Sequence, residues 1–371
     1  MKRLIIRGYY GRDNLGDELM KEVFIKSFKH PSIDLRIMNS SPEDLSSKYG
    51  IETPDELVTG SVPSVKNAFK RFFTILKADV YAYGGGTIIT DKHSYYHLVE
   101  NSIYFLFRKL LGKKSFLISA GATHFKTKAG LFWARRLIGF SDKAYIRDED
   151  SFSFLKSLTH NSKKLVQSAD IVLLTRDTYP IEKNKERLIG LCLMPYYYAT
   201  YHKNADDEQL RNDLVKQISH IAEKHKDYRF ILIPIQSGKN NNTDYCFCEQ
   251  IYGELKDNLD IELVKTENNE DKIHAIQRCE YLISMRLHAL MLAKFANIKL
   301  CAIDHNEKIQ SFMRRYDSIA NCVKLNELTR LSECFLNLEP VRENGAMMED
   351  YNLAKGNISI ILQGLDLKSN P

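Results

Sequence analysis

Short apolar runs alternate with longer amphipathic stretches along almost the whole chain. Residues 3–7, 35–38, 78–83, 115–119 and 143–146 read as buried strands. Between them, 18–29, 65–77 and 96–111 place apolar side chains at helical spacing. The rhythm breaks at 175–185, a polar stretch containing Pro180. It restarts with strands at 188–193, 230–234, 261–264, 281–284 and 299–303, and with a helix at 206–225. Residues 347–365 read as a last helix. Strands that alternate with helices predict parallel sheets covered on both faces. The break at Pro180 marks a domain boundary. The expected plan is an N-terminal α/β domain (1–178), a C-terminal α/β domain (186–340) and a helical tail (345–371) that packs back on the first domain.

Two Rossmann-like domains of similar size, facing across a cleft, resemble the GT-B architecture of many sugar-modifying transferases. A chain of 371 residues is long enough for two cores. Its 44% hydrophobic and 27% charged content is that of a globular protein. The net charge of +6 is a mild bias towards anionic ligands, and no zinc-finger spacing, RNP motif or long basic run marks a nucleic-acid partner. No apolar run approaches a membrane span, and no signal-peptide core follows Met1, so a cytoplasmic location is expected. The seven cysteines all lie in the second half and include no Cys-x-x-Cys pair, which predicts reduced thiols and no metal site.

Residues 281–293 carry the strongest chemical signal. An apolar strand runs directly into a helix, with Arg286 and His288 at the junction. Ligands of open α/β sheets sit outside the carboxyl ends of the strands. A helix start is already partially positive, so cations there need an anion. Either a bound phosphate or carboxylate supplies it, or Arg286 pairs with a local acid. Asp304, His305 and Lys308 stand at the next strand mouth, about one βα unit on. Arg147 ends a strand just before Asp148, Glu149 and Asp150, and either clamps an anion or pairs with Glu149 or Asp150. Gln236 closes the strand at 230–234, ahead of Thr243 and Asp244, which read as helix caps. Two glycine-rich stretches, 8–17 and 84–91, read as loops after strands. Neither fits a phosphate-loop pattern. Their polar groups Asn14, Asp17 and Asp91, with Gly85 and Gly86 permitting close approach, suit sugar hydroxyls or simple caps.

Together these motifs resemble the polysaccharide pyruvyl transferase family. They are Gly8-Tyr9-Tyr10-Gly11 with Asn14 and Gly16-Asp17-Glu18, Gly84-Gly85-Gly86-Thr87 with Asp91, Tyr145 with Arg147-Asp148 and Ser151, Pro234 with Gln236, Ser284-Met285-Arg286-Leu287-His288, and Asp304 with Lys308. They occur in the family's order. The asparagine-rich segment after Gln236 departs from the usual pattern. The resemblance implies transfer of the enolpyruvyl unit of phosphoenolpyruvate onto sugar hydroxyls of a polysaccharide precursor, forming a pyruvate ketal without cofactor or metal. It implies His288, Arg147 and Lys308 as catalytic residues. Arg286 and Gln236 would join those three around the donor, and Asn14, Asp17, Gly85, Gly86 and Asp91 would face the acceptor. Two other functions share the fold: a nucleotide-sugar glycosyltransferase, for which Glu307 is a candidate ribose contact, and a non-catalytic glycan-binding protein. Finally, the helix at 65–77 carries four cations and apolar groups at helical spacing, and 104–114 and 132–136 add more aromatic and basic residues. This composition predicts peripheral contact with an anionic membrane and a lipid-linked acceptor, the alternative being ordinary helices with solvated basic faces.

Overall fold

A computed structural model describes residues 1–59, 64–159, 162–181, 185–201, 204–237, 243–338 and 345–367. Parts of the 175–185 break and most of the asparagine-rich stretch after Gln236 lie outside the described residues. The chain forms two compact units, each built on one parallel six-stranded sheet. The first comprises Met1–Arg12, Gly16–Thr175 and Met348–Pro371, and the second Asp13–Leu15 and Arg176–Met347.

In the first unit the strands are β1 (Lys2–Arg7), β2 (Ile33–Met38), β3 (Val80–Ile89), β4 (Lys114–Ala122), β5 (Lys143–Ile146) and β6 (Leu165–Gln167), in the order β2-β1-β3-β4-β5-β6. All pairs are parallel. Ile5, Tyr81, Leu117 and Ile146 point into a core closed by helical side chains such as Phe105 and Leu137. In the second unit, β7 (Leu188–Cys192), β8 (Arg229–Leu232), β9 (Ile261–Leu263), β10 (Tyr281–Ser284), β11 (Lys299–Asp304) and β12 (Cys322–Lys324) pair in the order β12-β11-β10-β7-β8-β9. All five residues of β7 are buried, as expected of a strand sandwiched between helix layers. The strand order reverses between β1 and β3 in the first sheet and between β7 and β10 in the second. Those reversals open a crevice at the carboxyl edge, where α/β proteins bind ligands.

Two details differ from the sequence reading. The stretch 84–91 is not a loop: β3 runs through the three glycines to Ile89, and its pairing with β4 shifts register between Gly86 and Ile89. A Cβ at Gly84 would strike the Ile118 carbonyl oxygen, and Gly85 and Gly86 take φ of 75° and 122°. Only glycine tolerates both demands at low cost. The edge strands β6 and β12, each three residues long, were also absent from the apolar pattern.

The final helix, Ala346–Gly364, packs back on the first unit. Asn357 is fully buried there. Its Oδ1 accepts from the Ser119 N–H at 2.7 Å, and its Nδ2 donates to Ser168 Oγ at 2.8 Å and the Ala354 carbonyl at 3.0 Å. Ser119 sits at φ 44°, so this N–H is turned out of the sheet ladder and needs a partner. Replacing Asn357 with Ala removes that partner. It should lower the stability of the first unit by about 2–3 kcal/mol, the usual cost of orphaned buried polar groups. Urea unfolding followed by the single tryptophan, Trp133, reads this unit directly, and an unchanged midpoint would refute the role.

Candidate functional site

At the carboxyl edge of the second sheet, Arg286 is the residue between β10 and the helix Leu287–Phe295. Ser284 builds the turn: its hydroxyl accepts from the Arg286 N–H at 2.9 Å and donates to the Arg286 carbonyl at 3.0 Å. The guanidinium forks onto Asp244, through Nε at 2.8 Å and through Nη2 to the other carboxylate oxygen. Nη2 also lies 3.5 Å from Gln236 Oε1. Asp244 opens the helix Asp244–Leu255, a favourable place for an anion, and it also accepts from the Gln236 N–H at 3.1 Å. Its side chain is 1% exposed, whereas that of Arg286 is 20% exposed. The local acid for Arg286 is therefore Asp244, which the sequence suggested only as a cap. Gln236 also forms an antiparallel bridge with Asn14, which belongs to this unit. Beneath them, the buried Lys272 donates to Ser237 Oγ. Burial pushes its ammonium below the ordinary lysine value, against the pull of Asp244 and Asp13.

His288 is the second residue of the helix Leu287–Phe295 and is half-buried. Lys308, also half-buried, is the second residue of the helix Glu307–Arg315, whose Asn306 cap accepts from the Lys308 N–H at 3.1 Å. Neighbouring strands β10 and β11 thus each end in a helix start that carries a cationic or titratable side chain. His305 ties these two ends together. Its Nε2–H donates to the Met285 carbonyl at 2.8 Å, and its ring meets Tyr196 at 4.9 Å. Burial pushes His305 below the usual histidine value, despite that hydrogen bond, so it stays neutral at neutral pH. Tyr196, Asp304, His305, Glu307 and Gln310 help line a concavity of about 350 Å³. Sequence reasoning had placed His305 at this mouth but had no signal for its tether to Met285.

In the first unit, Tyr10 is fully buried and donates its hydroxyl to the Gly84 carbonyl at 3.0 Å, tying the loop after β1 to the middle of β3. Asp17 lies in the first turn of the helix Leu15–Phe28, with Oδ1 3.6 Å from where a Gly86 side chain would begin. Asp17 and the Gly85–Gly86 backbone are therefore neighbours. Asp91 is not with them. Its carboxylate accepts from Lys126 N, Thr127 N and Thr127 Oγ1, all at 2.8 Å, and fixes the start of the helix Lys128–Phe140. Burial opposes its charge, but these donors hold the carboxyl below its usual range. The protein's own chain thus supplies three donors to this carboxylate.

Arg147 lies at the end of β5, as expected, but its fork is also filled. Nη1 donates to Asp170 at 2.9 Å and Nη2 to Thr87 Oγ1 at 3.0 Å, with Asp148 at 3.7 Å from Nε. The acids it meets are Asp170 and Asp148 rather than Glu149 or Asp150. Its side chain is 7% exposed, and a Cβ at Gly121 would come within 2.9 Å of Nε. Arg147 is thus internally paired and holds the glycine-rich part of β3 through Thr87. All seven cysteines are free thiols.

A family model described as polysaccharide pyruvyl transferase matches residues 14–307. No curated protein matches the chain. Among solved structures, the chain is similar to UDP-GlcNAc 2-epimerase from Methanocaldococcus jannaschii, with a TM-score of 0.64 and 14% identity over 98% of this chain and 99% of that one. It is also similar to the UDP-GlcNAc-bound UDP-GlcNAc 2-epimerase of Neisseria meningitidis, with a TM-score of 0.58 and 14% identity over 98% of this chain and all of the other. At such identities the likeness establishes the fold, two Rossmann-like domains of the GT-B type.

Two substitutions separate structural from ligand-facing carboxylates. Asp244→Ala strands a largely buried guanidinium and should destabilise the second unit by about 3 kcal/mol; a urea midpoint equal to wild type would show that the pair contributes nothing. Asp91→Ala should cost about 1 kcal/mol, the worth of a lost helix cap. A carboxyl held below its usual range stabilises fully above the unfolded value and loses that contribution as it protonates in the fold. The deficit of Asp91→Ala should therefore be constant near neutrality and shrink at acid pH, which melting curves across pH will check.

Proposed function

The chain belongs to the polysaccharide pyruvyl transferase family, and from that premise we propose that it moves the enolpyruvyl unit of phosphoenolpyruvate onto two hydroxyls of a polysaccharide precursor, forming a pyruvate ketal and releasing phosphate. The observation that carries this reading is the pair of helix starts at β10 and β11, which present Arg286, His288 and Lys308 at one sheet edge. A donor with both a phosphate and a carboxylate needs cations and the positive ends of helices, and this edge supplies both.

In the proposed reaction, His288 delivers a proton to the methylene carbon of the donor. The adjacent carbon becomes oxocarbenium-like and takes the first sugar hydroxyl, whose proton returns to the base. The carbon–oxygen bond to phosphate then breaks, and the second hydroxyl closes the ring as its proton leaves with phosphate. Arg286 and Lys308 hold the donor's anionic groups, with Arg286 aimed by Asp244 and Gln236. Asp17, Gly85 and Gly86 receive the acceptor. Arg147 is here a positioning residue, keeping Thr87 and the glycine turn in shape. The acceptor in this reading is lipid-linked and met peripherally at the cytoplasmic face of a membrane. Among the described residues, no helix is long and apolar enough to cross one.

A second reading, a nucleotide-sugar enzyme on the same fold, is favoured by one observation. The concavity beside Tyr196 and Glu307 offers an aromatic ring and an acid of the kind a nucleoside needs. Calorimetric titration with phosphoenolpyruvate and with UDP-GlcNAc separates the two readings, since only one donor should bind. For the first, His288→Ala should lower turnover by roughly 10²–10⁴-fold, as expected for a general acid–base group, with the fold intact. Turnover near wild type in that variant would remove His288 from the chemistry.

A further inference from the structure

Nine of the thirteen large apolar side chains that stand exposed among the described residues lie on three helices of the first unit, or at the end of one of them. The helices are Val65–Lys77, Tyr96–Leu110 and Lys128–Phe140. They pack side by side: Phe72 of the first meets Phe107 of the second at 5.3 Å, and Ser102 of the second donates to the Trp133 carbonyl of the third at 3.2 Å. Each attaches to the sheet by its inner face. On the first helix this face is Arg71 and Ile75, with Arg71 donating to the Glu56 and Val58 carbonyls. On the second it includes the fully buried Arg108, which donates to four backbone carbonyls and to Ser115.

The apolar residues left outside keep much of their surface open to solvent. Val65, Phe69 and Phe73 follow one another at intervals of four, 55–75% exposed, and Phe107, Leu110 and Phe132 stand exposed on the other two helices. A soluble face of ordinary helices would carry polar residues there. Contiguous exposed apolar surface of this kind marks an interaction site.

Charge identifies the partner. Lys66, Lys70, Lys77, Lys109 and Arg136 stand exposed among these rings, and Arg136 lies over Phe132 at 5.0 Å. The first and third helices contain no acid, and the one acid of the second, Glu100, is held by Arg7 and Tyr104. Lys66, Lys70 and Lys77 outnumber the one acid, Glu56, which accepts from Thr74, around a concavity of about 580 Å³ beside Phe69 and Phe73, roomy enough for a lipid headgroup. We propose that this three-helix face docks on an anionic bilayer, with the phenylalanines entering the headgroup–acyl boundary and the lysines neutralising acidic lipids. A second copy of the chain is a poorer occupant, because it would press like charges together.

The inference rests on the membrane part of the proposed function for its biological sense, and on none of its chemistry. The test is flotation of the full-length protein with vesicles of phosphatidylglycerol and phosphatidylcholine, against phosphatidylcholine alone. Binding is expected only to the anionic vesicles, weakening as salt rises. Lys66→Glu with Lys70→Glu should reduce it about tenfold or more, given the contribution of each basic residue at such a surface. Phe69→Ser with Phe73→Ser should reduce it at any salt. Both double variants should keep wild-type circular dichroism and wild-type affinity for phosphoenolpyruvate. Absence of binding at low salt, or binding untouched by both variants, overturns the proposal. So does a concentration-dependent dimer that the same substitutions dissolve, which would give the face to a second copy. Vesicle binding without phosphoenolpyruvate binding would leave the docking face standing and reject the donor instead.

Discussion

The ion pair between Arg286 and Asp244 is the interaction around which the carboxyl edge of the second sheet is arranged. A parallel sheet aims the positive ends of its helices at one edge, and an arginine there adds to a field already unfavourable for it. Asp244 resolves the conflict from within. It is almost wholly buried, sits at the start of its own helix, and takes both arms of the guanidinium and the Gln236 N–H. That fixes the end of β8 against the end of β10, and it leaves the outer part of Arg286 open to a ligand. The pair is also a constraint on the ligand. With Arg286 paired to Asp244, any further anion at this edge would depend on the charge of Lys308 and on the helix starts themselves.

The first unit solves the same problem more completely. Arg147 is closed by Asp170 and Thr87 and is less exposed than Arg286. Two arginines in equivalent sequence settings, each at the end of a strand, thus differ in availability. The first unit's edge presents glycine backbone and the Asp17 carboxylate instead, which is a surface for hydroxyl groups more than for anions. Similar scaffolds thus end in different side-chain settings.

Much of this was legible in the sequence, and what was not has a common cause. Runs such as 281–284 and 188–193 announced their strands because burial on both faces leaves no room for polar residues. The last helix and its docking on the first unit were legible too. The three-residue strands β6 and β12 were not, since edge strands so short carry no periodicity. The polar partners were invisible for another reason. Asp244 lies 42 residues from Arg286, Asp170 lies 23 from Arg147, and Thr127 lies 36 from Asp91. Spacing along the chain says nothing about such pairs; only the sheet order brings them together. Hence the residue types at the candidate site were readable, while which of them would be consumed by internal pairing was not.

Because the helix Ala346–Gly364 completes the first unit, that unit is made of residues synthesised before and after the bulk of the second. At about 5–20 residues per second, translation of the intervening unit takes roughly 10–30 s. Throughout that interval Ser119 and Ser168 lack Asn357, and the side of the sheet at Phe116 and Val80, where Gly364 will settle, has no cover. The nascent first unit therefore waits with an open apolar flank while the second assembles. The order of synthesis makes this flank the natural client of holdase chaperones and the point at which premature termination does most harm.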